Sequence, residues 1–155
     1  MSNKIIQRPE QQVNLSHVLY LFRRGREGKS ARVAEGKEPD DLFYGWNHLE
    51  QYGFHSDFLN AGDKRNYLAR WLWLPIEKIV VRFIKMGFRL DWVLSVFPKL
   101  KQTDAIVSTT DSLGLPIVFL KRLGFLSTPL MYFSQGLAHR MMAVPPIMRT
   151  LLRFV

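Results

Sequence analysis

The chain has 155 residues, 47% hydrophobic and 23% charged, the size and balance of one globular domain with a sizeable core, which excludes wholesale disorder. It contains no cysteine, so disulfides, thiolate metal sites and cysteine nucleophiles are excluded together, as suits a reducing cytosol. The net charge of +9 is uneven: residues 1–60 carry eight basic and eight acidic side chains, residues 61–101 nine and three, and residues 102–155 five and two. A basic second part predicts an anionic partner (a phospholipid surface, nucleic acid or a phosphorylated ligand) or else a merely solvated basic face.

The opening MSNKIIQRPEQQVN is polar and reads as a flexible tail over 1–15, without the character of a secretory signal. HVLYLF (17–22) is a short apolar run between polar segments, the pattern of a buried first strand. RRGREGKSARVAEGKEPDD (23–41) follows with three glycines and mixed charge, and predicts a long loop of functional character. Asp40 or Asp41 then caps a helix over LFYGWNHLEQYG, ending at Gly53, and FHSDFLN (54–60) is a second strand. A strand, helix and strand at this spacing predict a parallel pair.

A helical stretch follows in NYLARWLWLPIEKIVVRFIKMGF, with Pro75 in the first turn of its main helix and an end near Met86 or Phe88. LDWVLSVFPKLKQT predicts a further helix interrupted near Pro98. DAIVSTT is a third strand, SLGLPIVFLKRLG a helix, PLMYFS a fourth strand, and IMRTLLRFV a last helix. The alternation predicts an α/β, Rossmann-like three-layer domain with a mainly parallel sheet covered on both faces. The chain stops within an apolar helical pattern, without a cap or polar tail, which reads as the end of a truncated chain or fragment. No run of about 18 apolar residues predicts a membrane span.

In an open parallel sheet, ligands bind outside the carboxyl ends of the strands. TTDS lies at such an end: Thr109, Thr110 and Ser112 offer hydroxyls and Asp111 a carboxylate, beside the unpaired N–H groups of the next helix. Asp111 or Ser112 serves equally well as a plain helix cap. The next strand end, FSQGLAHR, holds Ser134, Gln135, Gly136 and His139 in one loop. In RRGREGK, Gly25 and Gly28 allow close approach to a ligand, and Arg24 or Arg26 suits a phosphate. Neither G-x-G-x-x-G nor G-x-x-x-x-G-K-[ST] is met, G-x-S-x-G is absent, and the four histidines are scattered without metal-ligand spacing, so no metal is expected.

Three segments carry a family resemblance. EGKEPDDLFYGWNHLEQYGFHSDFL, TDAIVSTTDSLGLPIVFLKRLG and TPLMYFSQGLAHR, together about half of the chain, resemble the N-terminal half of family-4 glycosyltransferases with the two-domain GT-B fold. The resemblance implies a Rossmann-like acceptor-binding domain, with the nucleotide-sugar donor and its paired-glutamate motif on a C-terminal domain that these residues do not include. This chain would then transfer no sugar unaided and would hold no cofactor of its own. Acceptor contacts would fall on Arg24, Gly25, Arg26, Gly28, Thr110, Ser112, Gln135 and Gly136, and Asp111 and His139 would be the catalytic candidates. Gln135 stands where many members carry histidine; glutamine hydrogen-bonds but shuttles no proton at neutral pH, and His139 is the substitute.

On a helical wheel Lys78, Arg82, Lys85 and Arg89 fall within an arc of roughly 60°. Trp71 lies near that arc, while Trp73 lies with the apolar side. Such a helix can face the inner, cytoplasmic leaflet of a membrane as a peripheral contact, or it can simply cover the sheet. The alternative to the transferase is a non-catalytic basic α/β module that binds anionic lipid or nucleic acid. Nucleic acid ranks second, because the aromatics fall mostly at buried strand and helix positions.

Overall fold

The computed structural model describes residues 16–23, 25–62, 67–84 and 87–134. Four strands, β1 (His17–Phe22), β2 (His55–Asn60), β3 (Ala105–Ser108) and β4 (Leu130–Tyr132), form one sheet in the order β2-β1-β3-β4. Every pairing is parallel. Helices α1 (Glu27–Ala34), α2 (Tyr67–Ile84), α3 (Leu90–Ser95), α4 (Phe97–Lys101) and α5 (Asp111–Arg122) connect and cover the strands. The chain is therefore an α/β domain with a parallel sheet, as its alternating pattern predicts.

The central strand explains the layering. After its partly buried His17, β1 runs VLYLF, buried at every residue because both of its faces are covered. Leu19 and Leu21 point to one side and join Trp92, Val93, Leu100, Ile106, Leu113 and Ile117 in the larger core. Val18, Tyr20 and Phe22 point to the other and join Phe43 and Val107. Ile106 and Val107, adjacent on β3, divide between the two cores in the same way.

Three local expectations need correction. The predicted loop over 23–41 contains α1, because Val33 packs into the second core and Glu38 clamps the helix through Lys29 Nζ at 3.7 Å and Arg32 Nη1 at 3.2 Å. The expected helix over 42–53 is instead two 3₁₀ segments, Asp41–Phe43 and Trp46–Tyr52. Tyr44 (φ 52°) and Gly45 (φ 81°) between them are left-handed and interrupt the winding, and neither segment has a side-chain cap. Pro75 lies well inside α2 rather than in its first turn. The carbonyl that it leaves without a helical donor belongs to Trp71, an exposed residue, where water can replace the bond.

Other expectations hold. The helix interrupted near Pro98 is α3 followed by α4, with the proline in the first turn of the second. Gly53 closes the segment before β2 in a left-handed conformation, φ 79°. The predicted tail over 1–15 and the last helix over 147–155 lie outside the described residues.

Candidate functional site: the carboxyl ends of the strands

The chain passes from β1 to β2 on one side of the central strand and to β3 on the other, so the topological switch lies between β1 and β3. In parallel sheets a crevice opens at that point, beyond the carboxyl ends of the strands. Here the two ends are stitched together: Thr109 donates to the Leu21 carbonyl through its backbone N–H at 3.2 Å and its Oγ1 at 3.0 Å. On the other side of β3, the Phe133 N–H donates to the Ser108 carbonyl at 2.9 Å, so the Phe133–Ser134 segment joins the same rim. Tyr44 reaches the rim as well, its ring 5.2 Å from that of Phe133.

Asp111 opens α5, where a carboxylate is favoured by the helix dipole. It is not the cap. That position belongs to Thr110, which makes no side-chain capping bond. Instead Asp111 Oδ1 accepts a hydrogen bond from the Tyr132 hydroxyl on β4. Gly114 makes this geometry possible, because a Cβ there would overlap the Tyr132 ring. Thr110 Oγ1 lies 3.5 Å from Ser112 Oγ, and the Ser112 carbonyl accepts from the Arg89 N–H at 2.9 Å.

Burial and the bond to Asp111 push the Tyr132 hydroxyl well above its ordinary pKa of 10.0, and burial also raises Tyr20. A folded-state pKa raised above the unfolded one adds stability that is complete below pH about 10 and is lost as pH climbs toward the folded value. As pH rises past that ordinary value, absorbance near 295 nm should therefore show a late tyrosine ionisation that Tyr132→Phe removes. Ionisation of Tyr132 at its ordinary pKa with the fold intact would refute its bond to Asp111.

Of the predicted acceptor contacts, Thr110, Ser112, Gly25 and Arg26 stand at this edge of the sheet. The Arg26 guanidinium lies 5.8 Å from the ring centroid of Phe22, the last residue of β1. Gly25 has φ 91°, a conformation that a side chain would strain. Gly28 is different: it lies inside α1 rather than in a loop, with a negative φ and open space around it. Arg24, Gln135, Gly136 and His139 lie outside the described residues. Tyr132 and Gly114 escape the sequence reading, which names Thr109 for its hydroxyl but not for the stitch it makes to β1. A glycine in a helix interior three residues after an aspartate was the available signal, since such a glycine usually marks a close approach.

The basic arc also needs revision. α2 is described as far as Ile84, and Arg89 lies outside it at the start of α3, its Nε 3.2 Å from Asp91 Oδ1. Even so, Lys78 and Arg82 on α2 join Arg89, with one carboxylate, Glu77, among them, around a shallow groove of about 500 Å³. The backbone bond from Arg89 to Ser112 attaches that groove to the strand-end rim. Trp71 is 74% exposed on the same helix, while Trp73 and Val80 pack against the larger core. Lys85 lies outside the described residues. Among the described residues, no helix is long and apolar enough to cross a membrane.

A larger cavity, about 830 Å³, lies between α1 and the 3₁₀ segments, with Phe43 and Trp46 among its walls. Its two carboxylates are already engaged, Glu38 by α1 and Asp40 by His48 at 2.8 Å. The bonds from His48 and Asn47 hold Asp40 below the usual carboxylate range.

No protein family, curated protein or solved structure matches the chain.

Proposed function

We propose that this chain is the acceptor-binding half of a GT-B-type glycosyltransferase, one wall of a cleft whose other wall carries the nucleotide-sugar donor. The observation that supports this reading best is the placement of Asp111. The carboxylate stands beyond the carboxyl end of β3, oriented by Tyr132 on β4 and two residues after Thr109, which stitches β3 to β1 at the switch. The groove of Lys78 and Arg82 joins the same rim through Arg89 and Ser112. Asp111 accepts hydrogen bonds or a proton from an acceptor hydroxyl, and Thr110 and Ser112 position the sugar. Lys78 and Arg82 meet the phosphate of a lipid-linked acceptor or the anionic headgroups around it.

Asp111→Asn tests the reading in the presence of the donor-binding half. Asparagine keeps an acceptor for Tyr132, so stability should change by less than about 1 kcal/mol. Loss of a charged hydrogen-bond acceptor should lower transfer roughly ten- to hundredfold. Unaltered turnover would defeat the assignment.

Membrane attachment is tested separately. Each cation near an anionic leaflet contributes about 1 kcal/mol, so Lys78 and Arg82 supply roughly 2 kcal/mol. Arg89 contributes less, because Asp91 already holds it. The protein should sediment with anionic but not neutral vesicles, and charge reversal at Lys78, Arg82 and Lys85 should abolish this. Equal recovery with both kinds of vesicle would remove the peripheral-membrane reading. Vesicle binding with an inert Asp111 would favour the second reading, a non-catalytic module for anionic lipid, which the same groove supports.

A further inference from the structure

The opposite edge of the sheet, at the amino ends of β1 and β2, holds a second group of side chains. Parallel register pairs His17 with His55, so both rings leave the sheet on one face. Asp57 lies two residues along β2 and joins them, because side chains alternate with a period of two. The rings are 5.1 Å apart, centroid to centroid. One nitrogen of each histidine and one oxygen of Asp57 all lie within 4.8 Å of one another.

His17 Nε2 is the informative atom. It is buried, makes no well-formed hydrogen bond, and stands at ion-pair distance from Asp57 Oδ2, 3.4 Å. A buried polar atom so weakly satisfied is stabilised by a better-placed partner. The ring's backbone is held in place, since the His17 N–H donates to Asp104 Oδ2 at 2.7 Å. A cation already attends the carboxylate: Lys99 Nζ, from α4, is 3.2 Å from Asp57 Oδ2.

We infer that His17, His55 and Asp57 form a site for a divalent transition-metal ion of the zinc class. Two imidazoles and one carboxylate suit zinc, whereas magnesium and calcium prefer all-oxygen shells. Ligand atoms about 2.0–2.2 Å from a tetrahedral ion stand roughly 3.3–3.6 Å from each other, so the group closes by a modest rotation of the exposed His55 ring. The fourth position is open to water. On binding, the metal takes the place of the Lys99 ammonium at Asp57 and gives His17 Nε2 a closer partner than the carboxylate 3.4 Å away. It lies at the far edge of the sheet from Asp111, so it clips β1 to β2 and takes no part in the chemistry proposed for the rim.

Calorimetric titration of the full, tag-free chain with zinc chloride near neutral pH tests this inference. One saturable site is expected. His55→Ala, a change at an exposed residue, should weaken binding at least about tenfold. Lys99→Met should strengthen it severalfold by removing the competing cation. His48→Ala, in a histidine paired with Asp40 elsewhere, should change nothing. A circular-dichroism spectrum unchanged in each variant keeps these readings independent of folding. The absence of a saturable site, or binding that ignores either His55→Ala or Lys99→Met, overturns the inference. The result is separable from the transfer assay, which reads the opposite edge.

Discussion

Trp92→Ala should remove about 3–5 kcal/mol of folding stability, seen as a lower midpoint in urea unfolding and a melting temperature reduced by roughly 6–20 °C. Trp92 is 2% exposed on α3, which packs against both α2 and α5. Its truncation leaves a void that three helices must border, and a short helix held by tertiary contacts cannot collapse far to fill it. Against the roughly 5–15 kcal/mol that separates folded from unfolded domains, this is a large single-site loss. The indole Nε1 is buried without a hydrogen-bond partner. Trp92→Phe keeps most of the ring and removes that donor, whose burial costs about 1–3 kcal/mol. Phenylalanine should therefore cost less than half of what alanine costs. Equal losses would show that the indole nitrogen is satisfied in solution.

Gly114→Ala should destabilise by about 1–3 kcal/mol, although alanine is the better helix former by about 1 kcal/mol. The reason is steric: the added methyl group would overlap the Tyr132 ring. That ring is held through its hydroxyl by the bond to Asp111, so it cannot withdraw without giving up that bond. The double mutant cycle isolates the effect. With Tyr132→Ala in place, Gly114→Ala should become stabilising by roughly 0.5–1 kcal/mol, because only helix propensity remains. The same destabilisation in both backgrounds would place the strain elsewhere in α5. If the proposed function holds, Gly114→Ala should also impair transfer more than its stability loss explains, since displacing Tyr132 releases the Asp111 carboxylate.

These two sites show where sequence reading reaches its limit. The apolar runs HVLYLF and AIVS declare buried strands because a strand covered on both faces leaves no polar alternation. Asp111 could be singled out because a polar triplet ends one such run and a helix follows. Its partner could not be found, since Tyr132 lies on a different strand and sequence distance carries no record of which ring meets which carboxylate. α1 went unread for a related reason. RRGREGKSARVA carries weak helical preference and two glycines, and the chain winds there because Val33 finds the second core and Glu38 closes on Lys29 and Arg32.

The histidines make the same distinction most sharply. Composition and spacing along the chain determined the fold class, the positions of all four strands and the polar character of the rim, because these follow from local hydrophobic period and turn chemistry. Only the parallel register of β1 on β2 decided that His17 stands beside His55, and only the packing of α4 brought Lys99 to Asp57. Local preference acts over a few residues, whereas a site is made by groups that meet across the sheet after the chain has closed.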